Sequence, residues 1–263
     1  MIGLSCATIS CDGFGDNDFI KSFEMMPKAG FKYIEFNCWY PSTLTTYKMD
    51  DLKERCEKNS VLPSSIHGSS FGGETSFDVT RDVTHKLWMM EAAKRLGCNR
   101  ISATGAARGT QGGIEEIILV LKEIIPAAEE NNILICLENH KNNNLEFIED
   151  YKRIFDSIDS PSLGICLDTG HFDASRVDMN ALIDYFKLKI NHIHLKENLG
   201  YGSADFKRFS EGTTDNYGVI EKMLDLGYEG FLVCELSPQN DRELLLDDII
   251  KPKTMFEKYE KTE

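Results

Sequence analysis

The sequence predicts a closed (β/α)8 barrel of parallel strands, and three observations support this fold class. The chain has 263 residues, a length at which an α/β barrel forms one unit. Eight short apolar runs each precede a longer stretch with helical periodicity, as repeated βα units do. The Gly-rich stretches fit neither the GxGxxG nor the P-loop spacing expected of an open nucleotide-binding sheet. No linker rich in Pro, Gly or Ser divides the chain, so we expect a single domain over residues 1–263.

The elements follow one another in a regular order. The eight strand candidates are Ile2–Ile9, Tyr33–Phe36, Pro63–His67, Arg100–Ala103, Ile133–Leu137, Leu163–Leu167, Asn191–Leu195 and Phe231–Leu236. The helical patterns between and after them are Asp50 to Lys58, Arg81 to Leu96, Gly113 to Glu130, Leu145 to Ile158, Tyr217 to Leu226 and Arg242 to Tyr259. Gly30, Gly97 and Gly227 precede three of the strands, where a left-handed residue ends a helix and turns the chain.

Composition excludes several classes of protein. Lys and Arg number 29 against 43 Asp and Glu, a net charge of −14 that would repel phosphate backbones, so we expect no nucleic-acid partner. Mean hydropathy is −0.30, and no apolar tract approaches the length of a membrane-spanning helix, so we expect no membrane partner. The first ten residues lack a signal-peptide pattern, which favours a cytoplasmic location. The eight dispersed cysteines, without a CxxC pair, are expected to be reduced core residues.

Charged and imidazole side chains close six of the predicted strands. They are Glu35, His67, Glu138, Asp168, His194 and Glu235. In barrels of this class the active site lies at the carboxyl ends of the strands. Such side chains are disfavoured in apolar surroundings unless they are paired or bind a metal. A single carboxylate at a strand end is commonly a helix N-cap, but the recurrence at this level indicates a site.

Four of these residues follow consecutive strands and form the candidate metal-binding set: Glu138, Asp168, His194 and Glu235. Three crowded carboxylates would raise one another's pKa, and a divalent cation resolves that conflict. Oxygen ligands with one imidazole favour manganese, magnesium or cobalt, with zinc not excluded. Strand alternation places His192 one layer below His194, as a core or supporting histidine. Glu35 and His67 remain open between substrate contact and structural hydrogen bonding.

Local motifs resemble the xylose-isomerase-like barrel superfamily, and within it the sugar phosphate isomerase/epimerase group that includes the ketose 3-epimerases. The motifs are Leu137-Glu138-Asn139-His140, Leu167-Asp168-Thr169-Gly170-His171, His192-Ile193-His194-Leu195-Lys196-Glu197, Gly230-Phe231-Leu232-Val233-Cys234-Glu235, Ser210-Glu211-Gly212-Thr213-Thr214-Asp215 and Ala29-Gly30-Phe31-Lys32-Tyr33-Ile34-Glu35. The likeness covers almost the whole chain. It implies that Glu138, Asp168, His194 and Glu235 bind one divalent metal and that Glu138 and Glu235 also form the acid/base pair.

The resemblance also implies a substrate-binding set. His171 corresponds to a histidine that hydrogen-bonds a sugar oxygen in the epimerases. The arginine that these enzymes carry soon after the strand 7 histidine is missing here, where Leu199-Gly200 follows Glu197-Asn198. Lys196 either takes its place or is a solvated lysine at the rim. The candidate substrate-binding set therefore consists of His171, Lys196, His67 and Glu35.

The resemblance also marks what the chain lacks. The abasic-site endonucleases of the superfamily need further histidines after strand 4 and between strands 7 and 8. The chain reads Ile101-Ser102-Ala103-Thr104 and Asp205-Phe206-Lys207-Arg208-Phe209 there, which argues against DNA repair.

The leading hypothesis is a metal-dependent isomerase or epimerase of a sugar or sugar phosphate, acting by proton transfer through a metal-stabilised enediolate. The alternative is a metal-dependent lyase or dehydratase of a keto-sugar or keto-inositol, which begins with the same proton abstraction. A third reading is a barrel that binds sugar without turnover. A small-molecule sugar is the expected partner, and a homo-oligomer is left open.

Overall fold

The computed structural model describes residues 1–14, 17–72 and 76–261, and only the backbone at residues 76 and 77. Its eight barrel strands are β1 (Ile2–Ala7), β2 (Tyr33–Cys38), β3 (Leu62–Gly68), β4 (Arg100–Thr104), β5 (Leu134–Glu138), β6 (Leu163–Asp168), β7 (Ile190–Leu195) and β10 (Gly230–Cys234). All pair in parallel and close in the order β1-β10-β7-β6-β5-β4-β3-β2. The predicted fold class is confirmed.

Helices follow the barrel strands, as the βα pattern predicts. They are α1 (Ile9–Asp12), α2 (Ile20–Lys28), α3 (Thr46–Lys58), α4 (Ser76–Leu96), α5 (Gly113–Asn131), α6 (Ile148–Ser157), α7 (Thr169–Ala174), α8 (Met179–Phe186), α9 (Asn216–Asp225) and α10 (Arg242–Phe256). Short 3-10 turns lie at Pro41–Leu44, Lys187–Lys189 and Glu257–Tyr259. A small antiparallel ribbon, β8 (Glu197–Asn198) with β9 (Phe206–Lys207), covers part of the barrel mouth after β7.

Three strand ends differ from the prediction by two residues, and the other strand boundaries differ by no more than one residue. β1 ends at Ala7 rather than Ile9, because the Ile9 N–H donates to Asn37 Oδ1 at 2.8 Å and the chain enters a helical turn. β2 continues to Cys38, two residues beyond the predicted end. β10 ends at Cys234, so Glu235 lies just beyond the strand. These shifts change which side chains reach the mouth.

Helix ends follow the predicted signals closely. Gly30, Gly97 and Gly227 have φ values of 84°, 98° and 80°, the left-handed conformation expected after a helix. The periodicity does not single out helices α1, α2, α7 and α8; α1 has only four residues and α7 only six, too few for a pattern to emerge.

The core lies mainly between the barrel and its helices. All six residues of β1, β2 and β6 are buried, as expected for parallel strands covered on both faces. Over the residues described, no helix combines the length and apolar character needed to cross a membrane.

Candidate metal centre

The four predicted ligands meet at the barrel mouth. Glu138 ends β5, Asp168 ends β6, His194 lies near the end of β7, and Glu235 follows β10. One possible ligand atom from each lies within 4.8 Å of those of the other three. Asp168 and His194 are fully buried and Glu138 is 4% exposed. The structure therefore assembles the whole set from four neighbouring strands.

The donor atoms of this quartet converge on one another. His194 Nδ1 lies 2.6 Å from Glu138 Oε1 and 3.3 Å from Glu235 Oε2. Among the described residues, neither His194 Nδ1 nor Asp168 Oδ2 has a hydrogen bond of good geometry, although both are buried. Buried polar atoms that lack a hydrogen bond of good geometry are rare in native proteins and call for an explanation. Three carboxylates and one imidazole with converging, unsatisfied atoms fit a divalent cation.

The charges of the quartet are poorly balanced without a metal. Burial raises the pKa of Asp168 to about 6; Lys196 opposes this rise, and the nearby Glu235 and Glu138 carboxylates add to it. Burial also opposes ionisation of Glu235, but Lys196 and His194 outweigh it and hold the pKa of Glu235 well below its usual range. A cation at the quartet would relieve the repulsion that Asp168 experiences.

Lys196 extends into the mouth. Its Nζ lies 2.6 Å from Glu235 Oε1, 3.3 Å from Asp168 Oδ2 and 3.4 Å from His171 Nε2. The residue is 8% exposed, and its ammonium lies 5.1 Å from the centre of the Phe206 ring. These contacts place the lysine within the site and not on a solvated rim.

His171 lies beside the quartet at the start of α7. Its backbone N–H donates to Asp168 Oδ1 at 2.7 Å, so the same carboxylate caps the helix. Its ring stacks on His140 at a centroid distance of 3.8 Å. Burial, and then the charges of Lys196 and His140, lower the pKa of His171 well below its usual range. A neutral ring here can accept or donate a hydrogen bond to a polar ligand.

The other two candidate substrate contacts are placed differently. His67 borders the cavity, with Nδ1 3.0 Å from Ser102 Oγ and 3.5 Å from Glu138 Oε2. Glu35 is fully buried below the mouth, where Ser65 Oγ donates to its Oε2 at 2.7 Å. This position does not favour substrate contact, because β2 runs beyond Glu35 and brings Asn37 to the mouth instead.

A cavity of about 450 Å³ opens above the quartet, a size typical of small-molecule sites. Its lining includes the expected Glu138, Glu235, His171, Lys196 and His67. Trp39, which follows β2, also lines the cavity. The sequence reasoning did not assign the further lining residues Ile9, Phe14, Asn37, Ser70, Thr104, His140, Asn143, Phe206, Lys207, Leu236, Ser237 and Pro238 to the site. His140 stands within a quoted motif, so a signal for it was available. Asn37 and Thr104 lie near the ends of β2 and β4, Phe206 and Lys207 form β9, and the remaining residues lie in segments that follow barrel strands.

Buried amide and hydroxyl groups fix the strand ends that carry the ligands. Asn139 Nδ2 donates to the Asp168 carbonyl at 3.0 Å, and the Asp168 N–H donates to Asn139 Oδ1 at 2.8 Å. Thr169 Oγ1 donates to Asn216 Oδ1 at 2.7 Å and accepts from the Lys196 N–H at 3.0 Å. These bonds tie β5 to β6, and β6 to the segment after β7, at the level of the quartet.

The fold and the site together define the class of this protein. It is a parallel eight-stranded barrel in which three carboxylates and one imidazole converge at the mouth and form a candidate metal centre. A family model described as a xylose isomerase-like TIM barrel matches residues 23–252. The chain belongs to the xylose isomerase-like TIM barrel family, as the sequence motifs suggested.

Individual relatives have different activities. The 2-oxo-tetronate isomerase of Haemophilus influenzae is 25% identical over 256 residues, covering 89% of this chain and 93% of that protein. The inosose dehydratase of Yersinia enterocolitica is 27% identical over 254 residues, covering 84% and 83%. An uncharacterized protein of Methanocaldococcus jannaschii is 30% identical over 151 residues, and the match spans 53% of this chain but only 46% of that protein. The relatives thus include both isomerases and dehydratases.

Solved structures share the fold across its full length. A crystal structure described as the IOLI protein with a binding zinc atom has a TM-score of 0.78 and 22% identity, covering 99% of this chain and 100% of that chain. At this identity the likeness establishes the fold alone. The convergent side chains described above are what make a metal site reasonable in the present protein.

Proposed function

We propose that this protein is a divalent-metal-dependent isomerase or epimerase of a small sugar or sugar phosphate. The observation that carries the proposal is the quartet of Glu138, Asp168, His194 and Glu235 beneath a cavity of about 450 Å³. These four residues would hold the ion, with manganese, magnesium, cobalt and zinc as the candidates. When bound, the ion would supply Lewis-acid polarisation of a substrate carbonyl. The 25% identity to a 2-oxo-tetronate isomerase supports the same class.

Glu138 and Glu235 are suited to the proton transfers. Both line the cavity, and they stand three strand positions apart in the order β10-β7-β6-β5, so they reach the substrate from different sides. Both carboxylates have a pKa below the usual range despite burial, and an ionised carboxylate can take the proton beside a carbonyl. Returning a proton to the opposite face of the same carbon inverts it, and returning it to the neighbouring carbon gives the isomer.

His171 and Lys196 would orient the substrate. His171 Nε2 and Lys196 Nζ lie 3.4 Å apart on the wall of the cavity, where both can bond to the same sugar hydroxyl or carbonyl oxygen. The aromatic ring of Trp39 lies 4.9 Å from the His67 ring and forms part of the facing wall. An apolar wall opposite a few polar groups is the usual arrangement of a small-molecule site.

A dehydratase of a keto-sugar or keto-inositol is the second candidate, and Lys196 favours it. Its ammonium lies 2.6 Å from Glu235 Oε1, so a cationic proton donor stands beside a candidate base. In that reaction a glutamate removes the proton next to the carbonyl, the carbon–oxygen bond at the following carbon breaks, and the departing hydroxyl takes a proton from Lys196 and leaves as water. The similarity to inosose dehydratase supports this alternative.

The test is an NMR assay in deuterated water with ketoses, aldoses and keto-inositols, after reconstitution with each candidate metal. Deuterium beside the carbonyl together with a new epimer or isomer supports the first proposal, and exchange followed by loss of water supports the second. Glu138→Gln and Glu235→Gln should abolish both the exchange and the product, with metal content measured separately.

Glu229→Gln is the matched control, since this glutamate side chain is 79% exposed and pairs with the amino terminus. It should retain wild-type turnover. Absence of exchange with every metal and substrate would leave a barrel that only binds and would refute the enzymatic proposal.

A further inference from the structure

A fully buried carboxylate lies directly below the quartet. Glu35 is 0% exposed, in the interior of the barrel on β2, and it is not part of the cavity lining. Ser65 Oγ donates to its Oε2 at 2.7 Å. Burying a charged group is unfavourable unless other groups compensate it, so the partners of Glu35 indicate what it does.

Two histidines of β7 share this carboxylate. His192 Nε2 lies 2.8 Å from Glu35 Oε2, and His194 Nε2 lies 3.2 Å from Oε2 and 3.1 Å from Oε1. Carboxylate oxygens accept hydrogen bonds, and both Nε2 atoms lie within hydrogen-bond distance of Glu35, so both rings present Nε2–H to it.

This contact determines which nitrogen of His194 faces the quartet. With Nε2–H directed to Glu35, the remaining nitrogen, Nδ1, points to Glu138 Oε1 at 2.6 Å and to Glu235 Oε2 at 3.3 Å. Nδ1 has no other hydrogen bond of good geometry among the described residues. In a neutral ring protonated at Nε2, Nδ1 carries the lone pair that a metal ligand requires.

We propose that Glu35 is a positioning residue that binds Nε2–H of His194 and so directs Nδ1 toward the divalent ion, while His192 and Ser65 hold Glu35 in place. A carboxylate bonded to the outer nitrogen of a metal-binding histidine fixes both the tautomer and the orientation of the ring. The inference rests on the proposed metal centre, but on no step of the reaction proposed for it. Glu35 therefore acts on the metal through His194 and has no contact with substrate.

The first test compares zinc affinity in the full-length protein by competition with a chromogenic chelator near neutral pH. Glu35→Gln keeps the size of the side chain but replaces one acceptor oxygen with an NH2 group. If the remaining oxygen accepts from Ser65 and His192, the NH2 group takes the place of Oε1, 3.1 Å from His194 Nε2, and two donors then face each other. We expect zinc to bind about 10- to 100-fold more weakly. An affinity within about twofold of wild type in the folded variant would overturn the proposal.

A matched control separates this effect from loss of any buried charge. Glu146 is also a buried carboxylate, with Ser175 Oγ at 2.8 Å and Arg108 Nε at 3.0 Å as partners, and it is not part of the quartet or the cavity lining. Glu146→Gln should therefore lower stability without changing zinc affinity by more than about twofold. Equal losses in the two variants would show that Glu35 has only a general structural role.

A spectroscopic measurement reports on the hydrogen bond itself. In the zinc-loaded wild type, His194 Nε2–H should give a downfield, slowly exchanging proton resonance attached to a ring nitrogen. In Glu35→Gln this resonance should move upfield or be lost, while in Glu146→Gln it should stay in place. A wild-type protein that binds zinc without such a resonance would refute the proposed contact.

Glu35→Asp keeps the test decisive if the glutamine variant does not fold. It preserves the charge but withdraws the carboxylate by one methylene, so zinc should bind at least about fivefold more weakly, and unchanged affinity would overturn the proposal. If the wild type binds no divalent ion, the metal centre fails and this inference fails with it. If zinc binds as expected but no sugar turns over, the proposed function fails while the role of Glu35 stands or falls on its own measurements.

Discussion

Replacing Asp168 with asparagine should stabilise the metal-free protein and remove its response to metal. Asp168 is fully buried, and its Oδ2 has no hydrogen bond among the described residues. Asparagine has the same shape and can still accept the His171 N–H that Oδ1 now accepts at 2.7 Å. The substitution therefore removes one negative charge from the quartet with little change in packing.

The pKa of Asp168 gives the size of the effect. Burial, with the charges of Glu235 and Glu138, raises this pKa from 3.8 to about 6 against the opposing effect of Lys196. Between pH 3.8 and about 6 the native state binds more protons than the unfolded state, so the free energy of unfolding falls as pH rises through this window. Above the window the folded state bears the full free-energy cost of an ionised Asp168. Two pKa units correspond to about 3 kcal/mol. Because Lys196 loses a partner, we expect a net gain of about 1–3 kcal/mol at neutral pH.

Thermal unfolding with and without metal measures both effects. At about 2.1 cal/mol/K per residue, the entropy of unfolding of 263 residues is about 0.55 kcal/mol/K, so the metal-free variant should melt about 2–5 °C higher than wild type. Metal at about 100 times its dissociation constant should stabilise the wild type by about 2.7 kcal/mol, or about 5 °C. The variant should respond to the same metal by less than about 1 °C.

A matched substitution shows what would refute this reasoning. Asp178 caps α8 just as Asp168 caps α7, but it lies at an exposed helix end. Asp178→Asn should change stability by less than about 0.5 kcal/mol, because both residues cap helices well, and should keep the metal response. An Asp168→Asn protein clearly less stable than the metal-free wild type would contradict the proposed charge repulsion. If metal stabilised this variant as strongly as it stabilises the wild type, the proposed role of Asp168 as a ligand would be wrong.

Three further substitutions test the surroundings of the site. Gly170→Ala would place a Cβ 2.8 Å from the Lys196 side chain; displacing that lysine should slow substrate deuterium exchange and lower the free energy of unfolding by about 1–3 kcal/mol, measured by urea titration. Thr169→Val removes the 2.7 Å bond to Asn216 Oδ1 and should cost about 1–3 kcal/mol in the same titration. Burial lowers the pKa of Lys86 from 10.5 to about 8. The folded state therefore bears the full free-energy cost of burying a charged lysine below about pH 8, and this cost is relieved as pH rises towards 10.5. Relative to Lys86→Met, wild type should gain up to about 3 kcal/mol across that window, and a flat difference would contradict the shift.

The quartet could be predicted from the sequence because each member directly follows or closes an apolar strand. Glu138, Asp168, His194 and Glu235 stand at the ends of β5, β6, β7 and β10, and strand order alone brings such ends together. Barrel geometry then compensates for small errors in each boundary. Glu235, for example, reaches the quartet although β10 stops one residue before it.

Glu35 shows where this reasoning fails. The sequence predicts that strand 2 ends at Phe36, which would place Glu35 at the mouth, but β2 continues to Cys38. Side chains alternate along a strand, so extending it lowers Glu35 by one layer and brings Asn37 to the cavity. Asn37 accepts the Ile9 N–H at 2.8 Å, a contact between β2 and the start of α1 that no local pattern encodes. His140 and Phe206 similarly reach the cavity through the paths of loops and the ribbon.

The polar interior below the quartet is best explained by what it positions. Barrel interiors are usually filled by branched apolar side chains, yet here Ser5 Oγ lies 2.8 Å from Ser64 Oγ, Ser64 Oγ lies 3.1 Å from Ser65 Oγ, and Ser65 Oγ donates to Glu35. Buried polar groups of this kind add little net stability, since well-packed apolar residues commonly do as well or better. The chain of hydroxyls ends on the carboxylate that holds the outer nitrogens of His192 and His194. In this barrel, polar groups therefore occupy interior positions that apolar side chains usually fill, and they hold the His194 imidazole in the orientation that the candidate metal centre requires.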